Sequence, residues 1–135
     1  MPTIHKALII DDDEVNNFIC VRQIRASSFA EQAEFILNGQ DALHSLRTLI
    51  TEDPDGLPDV IFLDINMPMM NAWEFLAEYD TISGKFPKPI KLFILSSSVY
   101  KKDVLKSLEH TTVEEYLFKP LTKDLLERIK TQYFS

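Results

Sequence analysis

A single cysteine, Cys20, stands among the 135 residues. No intrachain disulfide is therefore possible, and no set of residues has the make-up of a structural zinc site. Cys20 sits in the apolar run "FICV" and reads as a small core residue rather than a reactive thiol. No apolar run approaches the roughly 20 residues that cross a bilayer. The opening "MPTIHK" lacks the long apolar stretch of a secretory signal. These absences predict a chain in the reducing cytoplasm, away from the membrane. Positive charge is also scarce: 14 basic against 21 acidic residues give a net charge of −7. That balance disfavours nucleic acid and anionic membranes as partners.

What remains is ordinary for a globular protein, with 45% hydrophobic and 26% charged residues. The length predicts one domain over residues 1–135 with a single core and no output domain attached. Short apolar runs recur: "ALII" (7–10), "AEFIL" (33–37), "VIFL" (60–63), "IKLFIL" (90–95) and "EYLF" (115–118). Runs that are apolar at nearly every position suit parallel strands covered on both faces. Between them lie segments with helical spacing, at 14–26, 39–50, 71–82, 101–109 and 122–133. Asp13, Asn71 and Thr122 stand where N-caps belong, and Glu74 completes a capping box with Asn71. Five β-α repeats with right-handed crossovers give an α/β fold, a doubly wound five-stranded parallel sheet with helices on both faces. The segment "TEDPDGLPD" (51–59) reads as a polar surface excursion before the third strand.

Ligands of such sheets gather at the carboxyl ends of the strands. The first strand ends in Asp11-Asp12-Asp13, the third in Asp64, the fourth in Ser96-Ser97-Ser98 and the fifth in Lys119-Pro120. Taken singly, each has a simpler explanation: a solvated cap, a turn, a loop, an exposed lysine. All four at one sheet edge make those explanations jointly weak. If the first and third strands are neighbours, Asp11, Asp12 and Asp64 converge, and Lys119 alone cannot balance them. A hard divalent cation would, and Mg²⁺ suits best because it uses few carboxylates and keeps some waters.

The motifs "LIIDDDEVN", "DVIFLDINMPMMNAWEF", "FILSSS" and "EYLFKPLT" closely resemble the receiver domain of bacterial response regulators. The resemblance runs in register over nearly the whole chain. It implies the flavodoxin-like (βα)5 fold with strand order 2-1-3-4-5. It further implies a stand-alone signalling switch of a two-component phosphorelay rather than a turnover enzyme. By this resemblance Asp64 is the phosphate acceptor, Asp12 a direct Mg²⁺ ligand and Asp11 a ligand through water. Asn66 would offer its backbone carbonyl to the metal, for which Mn²⁺ is a substitute. Lys119 would pair with the phosphoryl oxygens, and Ser96 and Tyr116 hold the positions of the switch hydroxyl and switch aromatic. Tyr116 would turn into space vacated by Ser96. The phosphodonor would be a histidine kinase or phosphotransfer protein. Output would pass to a separate protein over the 101–133 surface.

Three departures from the family pattern stand out. Ala72 follows Asn71 where a glycine is common, Ser96 replaces a threonine, and the 51–58 loop is long and acidic. Trp73, the only tryptophan, falls in the first turn of the helix after the acceptor loop. Two other functions fit parts of the sequence. "DDDEV" also matches the D-x-D-x-V of haloacid-dehalogenase-like phosphatases, but those need a late acidic pair, and only Asp124 and Glu127 follow Lys119 nearby. A receiver fold that works as a phosphorylation-independent interaction module is the other.

Overall fold

The computed structural model describes residues 3–134. Five strands, β1 (Lys6–Ile10), β2 (Gln32–Ile36), β3 (Val60–Leu63), β4 (Lys91–Ser96) and β5 (Val113–Phe118), form one parallel sheet in the order β2-β1-β3-β4-β5. Five helices alternate with them: α1 (Glu14–Ala26), α2 (Gly39–Glu52), α3 (Ala72–Ile82), α4 (Lys101–Ser107) and α5 (Lys123–Tyr133). This is the flavodoxin-like order implied by the motifs.

The helix starts follow local chemistry. The side chains of Asp13, Asn38, Asn71 and Thr122 each accept a backbone amide of the first turn. Asn71 and Glu74 form the full capping box. The three central strands alternate between two apolar layers. Leu8, Ile10, Ile61, Leu63, Leu92 and Ile94 pack with Ala42, Leu46, Phe75 and Tyr79 of α2 and α3. Ala7, Ile9, Val60, Phe62, Phe93 and Leu95 pack with Cys20, Ile24, Leu126 and Ile129 of α1 and α5. Covering both faces is what makes "ALII", "VIFL" and "KLFIL" apolar at nearly every position.

The edge strands differ from that pattern. Phe35 of β2 is 46% exposed and Phe118 of β5 is 49% exposed. An edge strand has a neighbour on one side only, so its side chains escape helix cover. Segment 51–59 is also not a free excursion. α2 runs on to Glu52, a 3₁₀ turn spans Pro54–Gly56, and Leu57 is fully buried. Asp59 then accepts the amides of His5 and Lys6 and the Lys88 ammonium at 2.8, 3.2 and 2.9 Å. Among the described residues no helix is long and apolar enough to cross a membrane.

Candidate functional site

The carboxyl edge of the sheet is organised around Asp11. Its amide continues the β1–β2 ladder to the Ile36 carbonyl, and its carbonyl accepts the Asn17 side-chain amide at 2.8 Å. Its carboxylate is 2% exposed as a side chain. One oxygen accepts the Asp13 amide at 2.9 Å; the other accepts Asn16 Nδ2 at 3.0 Å and Lys119 Nζ at 2.9 Å. A buried charge must be met by such donors or it costs several kcal/mol.

Asp64 extends β3, its amide bonded to the Ile10 carbonyl. Its carboxylate lies 3.5 Å from Lys119 Nζ, farther than Asp11 does. Burial, then the neighbouring Asp11 charge, pushes the Asp64 carboxyl up to about 6, with Lys119 opposing. Burial works against the Lys119 ammonium, but Asp11 and Asp64 outweigh it and hold its pKa above the usual lysine value. Asp12 is exposed, yet its carboxylate joins the group: Asp11, Asp12 and Asp64 each offer an oxygen, all within 4.8 Å of one another. Three carboxylates facing one ammonium, with only oxygen donors, fit a hard metal ion. The cluster could therefore hold a metal.

Lys119 is delivered by the end of β5, where its amide bonds to the Ser96 carbonyl at 2.9 Å. Ser96 is buried at the end of β4, and its hydroxyl accepts the Ser98 amide at 3.0 Å. Opposite pairing of Leu63 with Ile94 makes Asp64 and Ser96 leave adjacent strands. Asn66 lies exposed in the β3–α3 loop. The same loop carries Met69, 85% exposed and in the left-handed region at φ 68°.

Tyr116 is already half-buried. Its hydroxyl donates to the Ser98 carbonyl at 2.8 Å and its ring packs against Phe118. Ala72 settles the missing glycine: its amide bonds to the Ile65 carbonyl, and its methyl is fully buried in the α2–α3 layer. Cys20 is buried, and burial pushes its thiol up to about 11, in keeping with a core role. Asp124 and Glu127 are exposed on α5 and stand outside the acidic cluster.

Sequence reasoning missed the supports. Asn16 and Asn17 orient Asp11, while Ser98 links Tyr116, the Ser96 hydroxyl and Asp103. The paired asparagines after "DDDEV" were the available signal for the first group. The second had none beyond the serine run itself, because its link from Ser98 to Tyr116 joins the β4–α4 loop to β5.

Known proteins resemble the chain over nearly its whole length. A two component response regulator from Cytophaga hutchinsonii shares 29% identity over 96% of each chain, with a TM-score of 0.86. A response regulator receiver protein from Dyadobacter fermentans shares 27% identity over 97% of this chain and 99% of that one, with a TM-score of 0.81. Hybrid signal transduction histidine kinase L of Dictyostelium discoideum is 26% identical over 95% of this chain. The chain spans from 7% to 36% of the length of the first curated relatives it matches. The model of the response regulator receiver domain matches residues 7–130. Because that match runs from β1 into α5 and takes in every strand, the chain belongs to the response regulator receiver domain family of two-component signalling.

Proposed function

We propose that the chain is a phosphorylation-dependent switch of a two-component phosphorelay, with Asp64 as the acceptor. One observation carries the proposal: an under-compensated carboxylate cluster, Asp11, Asp12 and Asp64, faces Lys119 at the carboxyl edge of the central strands. An Asp64 oxygen attacks the phosphorus of a phosphohistidine on a histidine kinase or phosphotransfer protein. The O–P bond forms as the P–N bond breaks, and the imidazole leaves with the electron pair and takes up a proton. Asp11, Asp12, Asp64 and the Asn66 carbonyl would hold Mg²⁺, or Mn²⁺ in its place, which would offset the anionic charge of the reacting oxygens. Lys119 lies between Asp11 and Asp64 and meets negative charge as it develops on the phosphoryl group. Ser96 donates its hydroxyl to a phosphoryl oxygen in a charge-assisted hydrogen bond. That draws on the group which now accepts the Ser98 amide, and Ser98 in turn holds Tyr116. Output then passes by contact to a separate cytoplasmic protein over the 101–133 surface. The chain catalyses only the phosphorylation and dephosphorylation of its own Asp64.

Intact mass after acetyl-phosphate treatment tests the acceptor. Wild type gains one phosphoryl group and Asp64→Asn gains none; equal uptake by the variant moves the acceptor to Asp11 or Asp12. No uptake by wild type favours a phosphorylation-independent module. Uptake should proceed with Mg²⁺ or Mn²⁺ and be weak with Ca²⁺, whose longer bonds and larger coordination number suit this donor set poorly. Equal uptake with Ca²⁺ would sink the coordination scheme.

A further inference from the structure

α4 is the helix with the least to hold it. It has 7 residues, and Tyr100 at its N-cap makes no side-chain capping bond. Isolated helices shorter than roughly 12 residues are marginal in water, so tertiary contacts must supply the rest. Only Ser107 of α4 is buried, and Leu105 and Leu108 face solvent. Among the described residues, neither apolar layer includes a side chain of α4.

Ser98 holds Asp103 at its start, and the helix is caught again at its far end. The His110 ring, in the turn after α4, stacks on Trp73 of α3 with centroids 6.2 Å apart and planes at 12°. Lys106 Nζ sits 5.3 Å from the same indole. His110 Nδ1 stands 3.2 Å from Asp80 Oδ2, and the other Asp80 oxygen accepts the Thr112 hydroxyl at 2.6 Å. Asp80 and Trp73 lie on α3, which is capped by its box and buries Ala72, Phe75, Leu76, Tyr79 and Ile82. A firmly seated helix therefore grips a loosely seated one through stacking, a cation–π contact and a forked carboxylate.

We propose that Trp73, Asp80, Lys106 and His110 form a latch between α3 and the C-terminal end of α4, and that this latch sets how often α4 opens. The proposal does not require Asp64 to accept phosphate. Without the latch, α4 has a weak N-cap and an uncovered apolar side, and its local opening becomes frequent. With it, any force that moves the α3 end of the acceptor loop is felt at α4.

Hydrogen exchange followed by mass spectrometry on the unphosphorylated full chain in EDTA tests the latch. His110→Gln and Asp80→Asn should each speed exchange over 101–108 by about tenfold, whereas Asp59→Ala, which lies outside the latch, should speed exchange in β1 and β3 and leave 101–108 unchanged. His110→Phe, which keeps the stack but not the Asp80 contact, should fall between wild type and His110→Gln. Trp73 emission should change in His110→Gln and not in Asp103→Asn, which alters the other end of α4. Unchanged exchange over 101–108 in both variants overturns the latch. So does equal acceleration of 101–108, β1 and β3 by Asp59→Ala, because 101–108 would then exchange by general unfolding rather than by release of one helix.

Discussion

The two ends of β3 carry the same residue in opposite circumstances. Asp59 enters the strand and Asp64 leaves it. Burial raises the cost of charge at Asp59, but Lys88 and the amides of His5 and Lys6 outweigh it and hold its carboxyl below the usual range. At Asp64 burial and Asp11 prevail, and the carboxyl rises to about 6. The first aspartate is neutralised by fixed partners and pins β1 to the start of β4. The second is left under-compensated beside two more carboxylates. One end of the strand is built for stability, and the other gives up stability for a site that attracts positive charge.

Substitution at the two ends should separate them most sharply. Asp59→Ala strands two backbone amides and the Lys88 ammonium, and should cost on the order of 3 kcal/mol in denaturant melts. Asp64→Asn should do the reverse in EDTA, stabilising the fold by on the order of 2 kcal/mol at pH 8, since each pKa unit is worth about 1.4 kcal/mol. Equal losses at both positions would erase the distinction.

The pH response should be opposite in sign. Asp64 binds its proton more tightly folded than unfolded, so its share of stability is fully present below its ordinary value of 3.8 and is lost as pH rises through about 6. Asp59 binds its proton less tightly folded, so its share is present above 3.8 and is lost as pH falls through its depressed folded value. The advantage of Asp64→Asn over wild type should therefore be largest above pH 6 and shrink toward pH 4, as melts at several pH values would read. A gap that does not vary with pH would mean that the gain comes from packing and not from charge.

Asp12→Ala should give a smaller gain in EDTA, about 1 kcal/mol, because Asp12 is exposed and its repulsion is screened. The same change should abolish Mg²⁺ binding in titration calorimetry. A less stable variant would reveal a structural partner of Asp12.

Much of this protein is legible in its amino-acid sequence. The apolar runs of the central strands, the caps at Asp13, Asn71 and Thr122, and the helical stripes are local patterns, each written within a few residues. The residues of the acidic cluster and Lys119 were legible for a related reason: a parallel sheet brings its strand ends to one edge, so the residue after each run is placed by topology. The edge exposure of Phe35 and Phe118 was hidden because a strand's own residues do not say how many neighbours it has.

Sequence by itself determined the elements, their order as β-α repeats and the identity of the charges at the carboxyl edge, because periodicity and capping act over one or two turns. The tertiary structure alone decided how those charges divide their partners. Lys119 sits nearer Asp11 than Asp64, Asp59 is saturated while Asp64 is not, Tyr116 is tied to Ser98, and Trp73 meets His110. Each of those facts is a distance between groups on separate segments of the chain. A difference of less than an ångström changes which group a charge serves, and no spacing along the chain encodes it.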